Sequence, residues 1–216
     1  MEVIALVKRK EYLHRLIQWK DEPVIKVVTG IHRCGKSTML MQYQEWLKDN
    51  NISDKQIISI NFEDLEYEEL QDYQKLYDYL KHRLCKGKMT YIFLDEIQKV
   101  PSFEKVVDSL YIKANVDIYI TGSNAYMLSG DLATLLTGRY VEIKMLPLSF
   151  KEFLEICKMD QERGLTEYMR VGGLPYIATM DRTQEKLETY LEGIYNTVIV
   201  KDIEDRQARK EKSPEK

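Results

Sequence analysis

Eight residues carry the first chemistry. Gly30-Ile31-His32-Arg33-Cys34-Gly35-Lys36-Ser37 follow the apolar run Val24–Val28 and open a helical pattern from Thr38 to Lys48. They fit G-x-x-x-x-G-K-[ST], in which successive backbone N–H groups converge on phosphate oxygens at the positive end of a helix. The two glycines admit backbone angles that a side chain would forbid. Lys36 is placed to reach the β- and γ-phosphates, and the Ser37 hydroxyl to ligate Mg²⁺. Thr38, next in the chain, completes the binding set. An ordinary glycine turn before a helix would need neither the lysine nor the preceding apolar strand.

A second constellation follows Tyr91-Ile92-Phe93-Leu94, where an apolar strand ends in Asp95-Glu96. Two acids after a strand match many exposed turns, but downstream of a phosphate loop they form a nucleotide signature. The first carboxylate suits Mg²⁺, held directly or through water, and the second can orient and polarise an attacking water. Thr121-Gly122-Ser123-Asn124 closes another apolar stretch, at the strand end where ligands bind in open α/β sheets. Ser123 or Asn124 then contacts a γ-phosphate or the water, or else simply makes a turn and a helix cap.

The elements that must position these groups are legible from periodicity. Helical spacing covers Arg9–Lys20, Thr38–Lys48, most of the acidic, tyrosine-rich Glu63–Tyr79, Phe103–Lys113 and Met127–Leu136. Strands are expected at Val24–Thr29, Gln56–Phe62, Tyr91–Leu94, Val116–Thr121 and Tyr140–Met145. Strands that are mostly apolar throughout and alternate with helices imply a five-stranded parallel sheet with helices on both faces. After Pro147 only helical patterns remain: Phe150–Lys158, Glu162–Val171, Tyr176–Met180 and Gln184 to about Arg206. A boundary therefore falls near Leu146, between a core at 23–146 and a small all-helical part at 147–206. The polar stretch 207–216 has no apolar anchor and is expected to be disordered.

The totals of 216 residues, 44% hydrophobic and 31% charged describe a globular chain with a sizeable core. A net charge of −3 gives no global pull toward nucleic acid or an acidic membrane. No apolar run approaches a membrane span and no secretion signal opens the chain, so a cytoplasmic location is expected. Cys34, Cys85 and Cys157 lack the spacing of a disulfide framework or zinc site. Cys34 reads as a small side chain tolerated in the loop, with a thiol made reactive by neighbouring N–H dipoles as the alternative.

These motifs, with Gly138-Arg139, Pro147-Leu148-Ser149-Phe150-x-Glu152-Phe153 and Gly172-Gly173-Leu174-Pro175, make the chain resemble the AAA+ P-loop ATPases. It is most similar to prokaryotic AAA-type ATPases that carry a further C-terminal domain, of which this chain looks like the N-terminal ATPase part. The resemblance implies ATP and Mg²⁺, with Asp95 as metal-site carboxylate, Glu96 as water-activating base and Asn124, less so Ser123, as sensor. It implies that Arg139 is an arginine finger, acting in cis or in trans within a homo-oligomer; a salt bridge inside the subunit is the competing reading. Asn61 would restrain the glutamate, and Pro175 would lie in a helical lid near the adenine. The N-terminal helix, within residues 1–22, would flank the nucleotide. A helix stop followed by a proline-started helix also explains Gly172–Pro175.

The function expected is ATP hydrolysis coupled to a conformational change in an attached effector domain or partner. A slow-hydrolysing nucleotide-gated switch is the alternative. A small-molecule kinase is kept open by Arg163, Arg170 and Arg182, and a GTPase is disfavoured because the chain has no N-K-x-D motif. No zinc finger, basic stripe or stacking motif marks a nucleic-acid surface, and no membrane association is expected.

Overall fold

Five strands pair in parallel: β1 (Ile25–Gly30), β2 (Ile57–Asn61), β3 (Thr90–Asp95), β4 (Val116–Gly122) and β5 (Tyr140–Met145). Their order across the sheet is β2-β3-β4-β1-β5. This computed structural model describes residues 8–122, 136 and 138–196. Ser123, Asn124, all but the last residue of the expected helix Met127–Leu136, and the tail 207–216 lie outside the described residues. These divide into two compact units, Lys8–Gly30 with Lys36–Met145, and Ile31–Gly35 with Leu146 onward. No helix among them is long and apolar enough to cross a membrane.

The central strands β1 and β3 are buried along their whole length, as continuous apolar runs require. The edge strands are the less apolar ones. β2 exposes Ser59 and β5 exposes Glu142 and Lys144, because an edge strand meets fewer neighbours and reverts to two-residue alternation. Helices cross over between the parallel strands: α2 (Lys36–Asp49), α3 (Tyr73–Arg83) and α4 (Phe103–Tyr111), while α1 (Lys10–Gln18) packs on α2 and β5. The long helix expected over Glu63–Tyr79 is instead a 3-10 segment, Leu65–Gln71, followed by α3. The cause is local: Asp64 accepts the Glu66 N–H, and Asp72 accepts those of Gln74 and Lys75, so the chain is capped twice.

Alternation along the strands gives the sheet two unlike faces. Ile25, Val27, Ile92, Leu94, Ile118 and Ile120 join α3 and α4 in an aliphatic core. The opposite face, under α2, is aromatic and polar. Tyr43 of α2 packs on Phe93 and Tyr119, whose rings stack at 4.9 Å, and the Tyr43 and Tyr119 hydroxyls are 2.8 Å apart. Beside them the Lys26 ammonium meets Asp117 at 2.5 Å, both side chains being almost fully buried. Burial pushes the Asp117 carboxyl up, and Lys26 pulls it back. Asp117 also accepts from the Asp21 N–H and the Tyr119 hydroxyl, and Lys26 donates to the Glu22 carbonyl at 2.7 Å. Burial raises the Tyr43 and Tyr119 hydroxyls far above their ordinary range, and Tyr91 to about 12, so all three remain neutral donors.

In the second unit, α5 (Phe150–Cys157), α6 (Gln161–Val171), α7 (Pro175–Thr179) and α8 (Gln184–Ile194) close around Leu148, Phe153, Val171, Ile177 and Leu187. Ser149 and Glu152 form a capping box at the start of α5. Gly173 approaches the Leu148 carbonyl too closely for a Cβ, while the Leu148 N–H donates to the Gly173 carbonyl at 2.6 Å. The expected helix from Gln184 is described as far as Ile194, and residues 197–206 lie outside the described set.

Removing one partner of the buried pair strands the other charge. Lys26→Met should lose about 3–5 kcal/mol of stability in urea unfolding, and Lys26→Met with Asp117→Leu should lose markedly less. Equal losses in the single and double variants would contradict this account.

Candidate functional site

Gly30 ends β1, and Lys36 begins α2, two residues before the expected start. Lys36 and Ser37 therefore belong to the first helical turn, where N–H groups lack partners inside the helix. Between them Arg33 (φ 64°) and Gly35 (φ 99°) take left-handed angles, which a glycine adopts without strain and an arginine does not. The Cys34 N–H donates to the Ile31 carbonyl at 3.3 Å, closing a tight turn with the Cys34 side chain fully buried. Ile31 is exposed, His32 is half-buried, and the Arg33 guanidinium lies over the Tyr190 ring at 5.5 Å. Thr38 is half-buried one step along the helix.

Lys36 is only 4% exposed. Its ammonium donates to the Gly30 carbonyl at 3.3 Å and stands 3.7 Å from Glu96 Oε1. Asp95 ends β3 on the same face as Tyr91 and Phe93, and Thr121, on β4, shares that face with Asp117 and Tyr119. The Thr121 hydroxyl donates to Asp95 Oδ1 and accepts the Glu96 N–H at 3.0 Å. One hydroxyl thus fixes both acids. The Ser37 hydroxyl lies near enough to Asp95 to favour its ionised form. Burial holds the Asp95 carboxyl above its ordinary value, and the neighbouring Glu96 charge adds to this, while Thr121, Ser37 and Lys36 oppose it.

Glu96 has a left-handed backbone (φ 53°, ψ 45°), which turns the chain sharply out of β3 into the 3-10 segment Ile97–Lys99. Its side chain is almost fully buried, and Gln98 Nε2 donates to its Oε2 at 2.5 Å. The cluster therefore brings an ammonium, two hydroxyls and two carboxylates together at the carboxyl edge of the sheet. A hydroxyl and a carboxylate are hard oxygen donors of the kind Mg²⁺ takes along with water and phosphate. A carboxyl raised by burial and by a like charge is one that a bound cation would relieve. Among the described residues no group of three or more His, Cys, Asp or Glu could cage a metal by itself.

The other residues singled out from sequence fall elsewhere. Asn61 lies beside Asp95 in the sheet, but its side-chain oxygen accepts the Glu63 N–H at 2.9 Å, while Glu96 is met by Gln98 and Lys36. Arg139 is exposed just before β5, where its carbonyl accepts the Ile25 N–H at the start of β1. A six-residue strand rises about 3.3 Å per residue, so Arg139 sits roughly 20 Å from the edge that carries Asp95. Arg139 and Asp95 thus stand at opposite ends of the parallel strands. Its guanidinium lies 5.4 Å over the Tyr111 ring. Pro175 is the first residue of α7 in the helical unit. Asn124 lies outside the described residues. The sequence reading gave no role to Thr121 or Gln98, although alternation from Tyr119 would have placed Thr121 on the site's face.

Thr121→Val keeps the shape and removes the bridging hydroxyl, leaving the Glu96 N–H buried without it. Stability should fall by about 1–3 kcal/mol in urea unfolding, and an unchanged midpoint would show that the bridge is dispensable.

Residues 22–154 match the family model described as an AAA domain. The chain is 42% identical over 213 residues to an uncharacterized protein of Haemophilus influenzae, covering 96% of this chain and 53% of that protein. It is 32% identical over 221 residues to the uncharacterized protein MJ1544 of Methanocaldococcus jannaschii, covering 93% and 47%. The chain thus spans about half the length of the curated relatives it matches. Its fold is similar to the Walker-type ATPase of Pyrococcus abyssi, at 17% identity and a TM-score of 0.58, covering 94% of this chain and 76% of that one.

Proposed function

The chain belongs to the AAA domain family, and from that premise we propose that it binds ATP with Mg²⁺ and hydrolyses the β–γ phosphoanhydride. The observation that carries this reading is the meeting of the buried Lys36, Asp95 and Glu96 beside the half-buried Ser37. Gly30, Ile31, His32, Arg33, Cys34 and Gly35 would wrap the phosphates with backbone N–H groups, and Lys36 would leave the Gly30 carbonyl for the β- and γ-oxygens. Ser37 and Asp95 would hold Mg²⁺, which when bound neutralises charge on the phosphates.

Glu96 would take a proton from the attacking water as its oxygen bonds to the γ-phosphorus and the bond to the β–γ bridging oxygen breaks. That proton then passes to phosphate. Asn124 would contact the γ-phosphate or the water. Arg139, being remote from its own loop, would act only on a neighbouring copy, which makes a homo-oligomer part of the proposal. Pro175 is assigned to the nucleotide lid by family resemblance alone. The output would be a conformational change in an attached effector domain or partner.

One observation favours a second reading, a slow-hydrolysing nucleotide switch. Glu96 is already engaged by Lys36 and Gln98, so a resting chain would turn over slowly until ATP draws Lys36 away. Single-turnover hydrolysis with and without added partner separates the two.

Lys36→Ala should weaken ATP binding by about a hundredfold, the worth of two charge-assisted hydrogen bonds. Glu96→Gln should bind ATP normally and lose about 10²- to 10⁴-fold in kcat. Equal loss of binding in both would sink these roles. Arg139→Ala mixed with Glu96→Gln should partly restore turnover if the arginine works in trans, whereas a rate per chain that does not depend on concentration would remove Arg139 from the chemistry.

A further inference from the structure

The Glu96 carboxylate has two oxygens in two environments. Oε1 faces the Lys36 ammonium at 3.7 Å, on the side where phosphate would enter, and Oε2 accepts the Gln98 amide N–H at 2.5 Å. Both residues belong to one short, well-anchored stretch. The Glu96 N–H is bonded to Thr121, the Lys99 N–H donates to the Glu96 carbonyl at 3.1 Å, and Ile97 between them is fully buried. The amide is therefore presented to the carboxylate from a backbone that has little freedom of its own.

Its other end gives a second observation. Gln98 Oε1 is buried with no hydrogen-bond partner among the described residues, and the amide's hydrogen bond is the one to Glu96. Buried polar atoms are rarely left unsatisfied, and a side chain held at that cost calls for an explanation. A neutral donor is also the right kind of partner for a base. An amide donates one directed hydrogen bond to Oε2 and brings no second cation beside Lys36.

Resting on the hydrolytic reading above, we infer that Gln98 is a positioning residue: its amide fixes Oε2 so that Oε1 faces the water whose proton Glu96 takes. Gln98 acts through Glu96 and touches neither nucleotide nor water. The substitutions that test this keep the size of the side chain. Gln98→Met removes the donor, and Gln98→Glu keeps the shape while placing a like charge beside Glu96.

The measurement is steady-state ATP hydrolysis by the purified chain with Mg²⁺, beside thermal unfolding and the Glu96→Gln variant. Both Gln98 variants should lose about tenfold to a hundredfold in kcat, with KM for ATP and the unfolding midpoint little changed. Parallel changes in KM and midpoint in both variants would show a merely structural role and overturn the inference. Normal kcat in both, with Glu96→Gln inactive, would overturn it and leave the hydrolytic reading standing. No turnover by the wild-type chain, or full turnover by Glu96→Gln, would overturn both.

Discussion

Because β3, β4 and β1 lie side by side and run the same way, their carboxyl ends fall on one edge of the sheet. Asp95, Thr121 and Gly30 reach that edge together. Parallel pairing fixes more than direction. With a two-residue period it decides which side chains share a face, and it sends Asp95 and Thr121 to the side covered by α2. Lys36 and Ser37 open that same helix. The cluster is thus a consequence of register, and slipping β3 by one residue would carry Asp95 to the aliphatic face.

The face that bears the cluster is unusual for the middle of a parallel sheet. Below Asp95 and Thr121 it holds tyrosines and a buried ion pair in place of aliphatic side chains. Such pairs add little net stability over well-packed apolar residues, because desolvating both charges offsets their attraction. Their effect is selective. Lys26 and Asp117 satisfy one another only when β1 and β4 are neighbours in the observed register, so a shifted alignment would strand two charges in the core. Tyr43 extends this polar layer to α2, the helix whose first turn carries Lys36.

How much of this was readable depended on whether the cause was local. The residues Gly30–Ser37 encode a backbone conformation directly, and the five strands announced themselves through apolar runs flanked by turns. The 3-10 segment was missed because apolar spacing over Leu65–Leu80 outweighed the capping signals of Asp64 and Asp72. Lys26 and Asp117 lie 91 residues apart, and no single-sequence pattern pairs them. Gln98 is a different failure: it stands two residues after Glu96, but its role depends on a side chain folding back across a 3-10 turn. Arg139 shows the converse, a position correctly placed before β5 whose distance from the loop only strand direction reveals.

Glu96 bears a cost that its neighbours do not. A left-handed backbone is strained for a glutamate and nearly free for glycine, a difference of order 1 kcal/mol. Selection for durability alone would put glycine or asparagine at this turn. The residue present is the one that retains a carboxylate beside Lys36, so at position 96 the fold and the chemistry pull in opposite directions. A stabilised version obtained by relieving this strain would be a sturdier protein with an emptied site, and thermal screening alone would score it as an improvement.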